Sequence, residues 1–333
     1  MKNLDMFDLR HLLRGSSRTG SVLVALTILL VFGFMRYDKF ASAYNLTSFL
    51  NYNAMFVIIS LGMCFVIMSG GIDLSVGSVT AFTSVVAAYL SPHGLEVALP
   101  SGILVGVAFG ALNALFIVVM RIPPFIATLV TMLGAKGGAL VISGAQTVAV
   151  DWGSNFTKLG MERAVGALPW TFVLVVVVAV ALWIVLEHTP LGRTVLAVGG
   201  GEDAANLMGL NVTRAKFFVY LLSGGCAGLA GVFLASGFGA GQPLEGIGWE
   251  LSAIASVVVG GTLLTGGLGS VAATFFGALL LGLIFNLLNF ENGRGTISLS
   301  AYWQQVVRGF FLLMVILMQT RVRPLRRITS QSI

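Results

Sequence analysis

Long apolar runs, separated by short polar segments, dominate this chain. A helix needs about 20 predominantly apolar residues to cross the hydrocarbon core of a bilayer. Ten runs approach or reach that length, and they occupy residues 20–35, 52–68, 74–90, 97–120, 124–142, 170–186, 217–235, 251–264, 270–289 and 303–319. We therefore predict an all-α polytopic membrane protein with about ten transmembrane helices, forming a single transmembrane domain over residues 1–333.

Composition excludes the common soluble classes. The 333 residues include 19 basic and 13 acidic side chains, so 10% are charged, and 57% are hydrophobic. Soluble proteins carry about 25% charged residues. A cytosolic enzyme, a nucleic-acid binder and a secreted disulfide scaffold are therefore excluded. Cys64 and Cys226 lie within apolar stretches and are interpreted as small core residues. The polar, basic start and the long first run give no sign of a cleavable signal peptide.

The distribution of basic residues predicts the orientation. With an internal N-terminus, the inside segments hold twelve Lys and Arg residues and the outside segments hold five. The positive-inside rule therefore places both termini in the cytoplasm. The cytoplasmic parts would include an N-terminal segment (1–19), a long loop (187–216) and a basic tail (320–333).

A polar, glycine-rich break interrupts the chain at residues 69–78. Irregular backbone at membrane depth is tolerated only where protein or a water-filled cavity covers it. The break contains Asp73 and Ser75 together with Gly70, Gly71 and Gly77, which we predict to be hinge glycines. Asp73 has two interpretations, as a structural cap of the following helix or as an acidic ligand for a substrate or ion.

Two further breaks lie in the second half. Residues 237–254 are glycine-rich, and Glu250 is followed by Leu-Ser, as Asp73 is. If runs two to five and seven to ten are repeats, the predicted topology makes them inverted, which is typical of transporters. Residues 257–271 contain the third cluster, interpreted either as a tight turn or as a gating hinge. Its glycines are Gly260, Gly261, Gly266, Gly267 and Gly269.

Motifs for chemistry are absent. The sequence contains no G-x-x-x-x-G-K-[ST] phosphate-binding loop, no H-E-x-x-H and no C-x-x-C. We expect no enzyme activity in this chain, no metal and no cofactor. Intramembrane acids and bases are few, which argues against a proton-relay antiporter. Asn113 and Asn286 lie within apolar runs, where an amide forms either an interhelical hydrogen bond or a substrate contact.

The long loop contains a short predicted helix with acidic residues at its start. Five apolar residues would give this helix an exposed apolar surface, which suggests docking of a partner protein, or alternatively a lid over the helix bundle. The segment reads Glu202, Asp203, Ala204, Ala205, Asn206, Leu207, Met208, Gly209 and Leu210.

Several segments resemble the monosaccharide permeases of bacterial ABC importers, the ribose-permease family. The motif SGGIDLSVGSV at residues 69–79 resembles the family signature, and IPPFIATL at 122–129 resembles its I-P-x-F-I-x-T-L segment. TPLGR and GGEDAANLMGL in the long loop resemble the family's coupling loop. The run from Glu250 to Gly269 resembles its late E-L-x-A-I-A segment. The whole chain is especially similar to permeases of galactofuranose importers.

This resemblance implies a function. It implies that two permease subunits form the membrane pathway, that a periplasmic binding protein delivers a sugar such as galactofuranose or ribose, and that a separate ATPase hydrolyses ATP. Residues 202–210 would contact that ATPase. The pathway residues would be Asp73, Ser75, Asn113, Glu250 and Asn286. The alternatives are an ion-coupled secondary transporter and a non-ATP channel or scaffold.

Overall fold

The computed structural model is almost entirely helical. It describes residues 6–294 and the helical positions 303, 306, 309, 310 and 313. The helices within these residues are α1 (Met6–Arg36), α2 (Ala43–Met68), α3 (Val76–Leu90), α4 (Leu95–Ala114), α5 (Pro124–Ser143), α6 (Lys158–Met161), α7 (Trp170–His188), α8 (Pro190–Gly200), α9 (Glu202–Leu207), α10 (Val212–Phe238), α11 (Trp249–Val259) and α12 (Val271–Arg294). A π-helical segment, Leu115–Val119, extends α4.

Seven of the described helices are long and apolar enough to cross a membrane. These spans lie in α1, α2, α4 with its π-helical extension, α5, α7, α10 and α12. The all-α prediction is confirmed, and nine of the ten apolar runs coincide with a described helix. Two of those nine, α3 with 15 residues and α11 with 11, are shorter than a membrane crossing. The tenth run lies largely outside the described residues.

Each of the three predicted breaks contains a non-helical segment, although helix ends occupy part of each one. They separate α2 from α3, α10 from α11, and α11 from α12. The boundaries differ from the prediction at two places. Helix α3 begins at Val76 and not at 74, because the Asp73 carboxylate accepts the Ser75 N–H at 3.0 Å in a local turn. Helix α11 ends at Val259 and does not reach 264, because Gly261 turns the chain with φ of +82°.

Helices α2 and α10 form the centre of the fold. Every residue of α2 from Asn53 to Met68 is buried except Phe56. Helix α10 packs most extensively on α4, α3 and α2. Where α4 and α10 cross, glycines let the two backbones approach closely. A Cβ added to any of these glycines would meet the facing helix. These glycines are Gly102, Gly106 and Gly110 on α4 and Gly224 and Gly228 on α10.

The two ends of the bundle carry different connections. At one end, the segment after α5 contains β1 (Val148–Ala149), which pairs antiparallel with β4 (Ala240–Gly241) in the link between α10 and α11. Nearby, β2 (Arg163–Val165) pairs with β3 (Leu168–Pro169). At the other end of α7, the long loop folds into α8 and α9. The short helix predicted in this loop is confirmed, whereas α8 was not predicted.

Candidate functional site

Asp73 lies at the centre of a buried polar cluster. Its Oδ1 accepts hydrogen bonds from the Ser75 hydroxyl at 2.6 Å and the Ser75 amide at 3.0 Å, and its Oδ2 accepts one from the Ser223 hydroxyl at 2.7 Å. Asn113 Nδ2 donates to Ser75 Oγ at 2.9 Å and reaches Asp73 Oδ1 at 3.5 Å. These four side chains are almost fully buried. The cluster joins the first break to α4 and α10, and it unites three of the five residues predicted for the pathway.

This arrangement refines the cap interpretation of Asp73. The N-cap of α3 is Ser75, whose side chain makes no capping hydrogen bond, so Asp73 binds the amide before the helix and not one inside it. Asn113 Oδ1 and the Tyr220 hydroxyl are buried and have no hydrogen-bond partner in the described structure. Ser223 was missed in the sequence, where its only signal is a hydroxyl in an apolar run beside Gly224 and Gly225.

Glu250 occupies a different position from Asp73. It lies in the first turn of α11, after the Gly248 N-cap, and is partly buried. A Cβ on Gly77 would lie 2.9 Å from Glu250 Oε2 and would meet the Gly246 carbonyl, so α11 begins directly against the start of α3. Lys136 of α5 interacts electrostatically with this carboxylate. Glu250 therefore marks the contact between two short helices and is not part of the cavity described next.

A cavity of about 800 Å³ lies between α2, α10, α11 and α12. Its described lining has no charged side chain and combines aromatic, amide and hydroxyl groups. The aromatic residues are Tyr44, Phe49, Tyr52, Phe56, Phe233, Phe238 and Phe285. The polar residues are Ser48, Asn51, Asn53, Ser252, Ser256, Asn286 and Asn289. We call this space the inner cavity. Of the five residues predicted for the pathway, Asn286 lines it.

A second cavity of about 530 Å³ adjoins the first, and we call it the outer cavity. Asn286 and Asn289 line both spaces, whereas Asp38 and Lys39 line only the outer one. The surrounding wall is held by Glu291, which forms an ion pair with Arg36 at 3.5 Å and accepts a hydrogen bond from the Tyr37 hydroxyl at 2.7 Å. Burial, followed by that hydrogen bond, raises the pKa of Tyr37 to about 12. Tyr37 therefore remains a neutral donor at physiological pH.

Helix α9 and the turn after it present two large apolar side chains. Leu207 is 89% exposed and Met208 is 67% exposed. The predicted apolar surface needs one correction, because Ala205 is fully buried and Leu210 is half-buried against the core. These two residues face the bundle, while Leu207 and Met208 face away from it. Glu202 pairs with Lys216 at 2.6 Å, which fixes the start of α9 against α10.

Three backbone segments meet in a contact that we call the glycine junction. They are the end of α2 with the start of the first break (Met68 and Gly70), the end of α8 (Gly199), and the third break (Gly266 and Gly267). The Gly267 amide donates to the Met68 carbonyl at 2.9 Å. A Cβ on Gly199 would overlap that carbonyl, and a Cβ on Gly266 would lie 2.8 Å from the Gly199 carbonyl. The junction joins α8 to the first and third breaks without an intervening side chain.

The predicted hinge glycines are of two kinds. Gly70, Gly261, Gly266 and Gly267 have φ near +80°, so they supply a left-handed conformation that other residues rarely adopt. Gly71, Gly77 and Gly260 lack a positive φ and are sites of close approach, to Tyr220, Gly246 and Ala273 respectively. The third break is thus a tight turn, and its role as a hinge stays a prediction.

Comparison with known proteins adds a family and several relatives. A family model described as "Branched-chain amino acid transport system / permease component" matches residues 45–317. The ribose import permease protein RbsC of Haemophilus influenzae is 36% identical over 299 residues, covering 88% of this chain and 90% of the relative.

Two further relatives have similar coverage. The inner membrane ABC transporter permease protein YjfF of Escherichia coli K12 is 39% identical over 290 residues, which are 85% of this chain and 86% of the relative. The D-allose transport system permease protein AlsC of the same strain is 34% identical over 293 residues, which are 87% of each chain.

Proposed function

Since the chain belongs to the family of branched-chain amino acid transport system permease components, we propose that it is the membrane-spanning subunit of an ATP-driven importer for an uncharged monosaccharide. Permeases of ABC importers have no ATPase site and need no cofactor, so a partner hydrolyses ATP. We place the protein in the bacterial inner membrane, as the name of the relative YjfF suggests. Both termini would be cytoplasmic.

The observation that carries this proposal is the absence of charged side chains from the described lining of the inner cavity. The family description mentions branched-chain amino acids, which carry two opposite charges. The names of the relatives RbsC and AlsC instead refer to ribose and D-allose, and that of the FruG permease of Bifidobacterium longum refers to fructose. A charged group leaving water needs a paired charge, and the described lining offers none. Aromatic faces with amides and hydroxyls instead suit a polyhydroxylated neutral ligand. Galactofuranose and ribose are the specific sugars that we propose for testing.

Asn286 is the residue that we assign to the sugar pathway itself. We assign Asp73, Ser75 and Asn113 to holding the first break in place, and Glu250 to holding α11 against α3. The break and α11 border α2, whose first half lines the inner cavity. A movement of the breaks would therefore change the shape of that cavity.

We place coupling to the ATPase at residues 202–210. Leu207 and Met208 are the contact residues, because they are the large apolar side chains exposed on α9 and its following turn. The glycine junction offers a route from there to the two breaks, since α8 contacts both through its backbone. A periplasmic binding protein and a second permease subunit, identical or different, complete the proposed importer.

The test is sugar uptake by the full complex in proteoliposomes. The wild-type complex should take up at least one of D-ribose, D-allose, D-fructose and D-galactose, the last of which supplies galactofuranose as its furanose form. Uptake should occur only with internal ATP and external binding protein. Replacing Leu207 and Met208 with Asp should abolish uptake and co-purification of the ATPase, because two buried charges would face the partner. Replacing Asn211 with Ser, which keeps a helix-capping side chain, is the matched control in the same loop.

Each rival function predicts a different result. An ion-coupled secondary transporter would accumulate sugar along an imposed ion gradient without ATP. A channel or scaffold would give no sugar-dependent ATP turnover. Either result with the wild-type complex would reject the importer proposal. ATPase that still co-purifies with the doubly substituted chain would reject the assignment of residues 202–210.

A further inference from the structure

Among the amides of the inner cavity, Asn286 differs in its hydrogen bonding. Asn51 uses both ends, donating to the Gly160 carbonyl at 2.6 Å and accepting from the Thr171 hydroxyl at 2.7 Å. Asn286 Nδ2 donates to Asn45 Oδ1 at 3.0 Å, but its Oδ1 is buried without a hydrogen-bond partner in the described structure. A buried acceptor without a donor is unfavourable, and a small shift of the Asn286 side chain, which lines the cavity, would let a ligand there supply the donor.

The position of Asn286 strengthens this reading. It lines both cavities, so it lies where the inner and outer spaces meet. Its partner Asn45 lines the outer cavity and donates to the Phe40 carbonyl at 2.9 Å, which fixes the Asn45 amide in place. The Asn286 side chain is thereby held by a hydrogen bond on its nitrogen, with its oxygen left over.

Charge changes across the same point. Asp38 and Lys39 line the outer cavity, whereas the described lining of the inner cavity has no charged group. A ligand moving inward therefore exchanges water and charged side chains for aromatic faces and amides. A sugar hydroxyl can donate to the Asn286 carbonyl oxygen at that step, whereas a carboxylate or phosphate would place an acceptor against an acceptor.

Resting on the proposed function, we propose that Asn286 is a specificity-determining residue that accepts a hydrogen bond from one hydroxyl of the sugar between the two cavities. The permease then contributes to selectivity beyond the binding protein. A site built to pair with a substrate hydroxyl disfavours an analogue that lacks it, because the site's polar group stays unpaired.

The test compares each transported sugar with its monodeoxy analogues. Uptake of D-ribose, D-allose, D-fructose or D-galactose, and of each analogue lacking one hydroxyl, is measured with the complete complex. The binding protein is the same for every permease variant. A difference between wild type and Asn286→Leu in the uptake ratio of parent sugar to analogue is therefore due to the permease. One lost hydrogen bond corresponds to about a tenfold effect. At one hydroxyl position, the wild type should therefore favour the parent sugar about tenfold more than the variant does.

The matched control is Asn292→Leu, the same change on the same helix outside both cavities. It should keep the wild-type ratios at every position. If Asn286→Leu does not assemble with its ATPase, Asn286→Ala replaces it, because alanine also lacks the amide oxygen. Unchanged ratios in the assembled variant would overturn this inference alone. Absence of sugar uptake by the wild-type complex would overturn both the inference and the proposed function.

Discussion

At the residue scale, the Asp73 carboxylate is stabilised by hydrogen bonds and not by a counter-charge. The described residues include no ion pair to Asp73, and donors from Ser75, Asn113 and Ser223 surround its two oxygens. Each donor comes from a different element: the first break, α4 and α10. The cluster therefore stabilises the relative position of these elements only while every donor faces an acceptor.

Asp73→Asn tests this dependence on acceptors. The amide NH₂ of the variant would face donors, leaving at least one buried group unpaired at a cost of about 1–3 kcal/mol. We expect a lower midpoint of thermal unfolding for the purified protein in detergent. Asp151→Asn is the control, because Asp151 is exposed and accepts one exposed hydrogen bond from the Gly153 amide. Equal midpoints for the two variants would contradict the structural role of the cluster.

Sequence reasoning identified the acidic centre of this cluster but not all its members. Asp73 stood out because a carboxylate within a long apolar region needs an explanation. Ser223 did not, because a single hydroxyl in an apolar helix is usually bonded to its own backbone. Asn113 was predicted for the pathway, but whether an amide faces a cavity or a neighbouring helix depends on helix rotation, which composition does not specify.

At the element scale, α8 is the part that sequence reasoning missed. In the sequence, Pro190 indicates that a helix ends before it, and α7 does end at His188. Proline is equally suited to the first turn of a new helix, where its missing N–H is not needed. The Thr189 hydroxyl caps that helix by accepting a hydrogen bond from the Gly192 amide. A single Thr-Pro pair therefore ends one helix and begins the next.

Adjacent glycines at the end of α8 test the glycine junction. Gly199→Ala would place a methyl group against the Met68 carbonyl and the Gly267 amide, whereas Gly200→Ala meets nothing within 4 Å. We expect Gly199→Ala to lower ATP-dependent sugar uptake at least several-fold in reconstituted complexes, because α8 is displaced from both breaks. Gly200→Ala should resemble the wild type. Similar uptake for the two variants would argue against transmission through this contact.

At the scale of the whole molecule, the two ends of the bundle can be distinguished chemically. Leu207 projects from α9 at one end, and Val165 of β2 is 78% exposed at the other. The only cysteines of the sequence, Cys64 and Cys226, are buried and free, as predicted, so they leave the surface open to labelling of introduced thiols.

Cysteine labelling tests the proposed orientation. In intact spheroplasts, a membrane-impermeant maleimide should label Val165→Cys but not Leu207→Cys, because the positive-inside rule places α9 in the cytoplasm. Inside-out vesicles should reverse the pattern. Labelling of Leu207→Cys in intact spheroplasts would show that the orientation is the reverse of the proposed one. It would also reject the ATPase-docking role proposed for α9.

The side-chain hydrogen bonds within α2 bear on the order in which the helices assemble during synthesis. Helix α2 enters the membrane before α10 and α12, the helices that later enclose it, have been made. Its buried Ser60 and Asn53 donate to carbonyls one turn earlier in the same helix, Phe56 at 2.6 Å and Phe49 at 2.8 Å. These donors are therefore satisfied while α2 still faces lipid. Asp73, by contrast, must await Ser223, so its cluster can close only after α10 has been inserted.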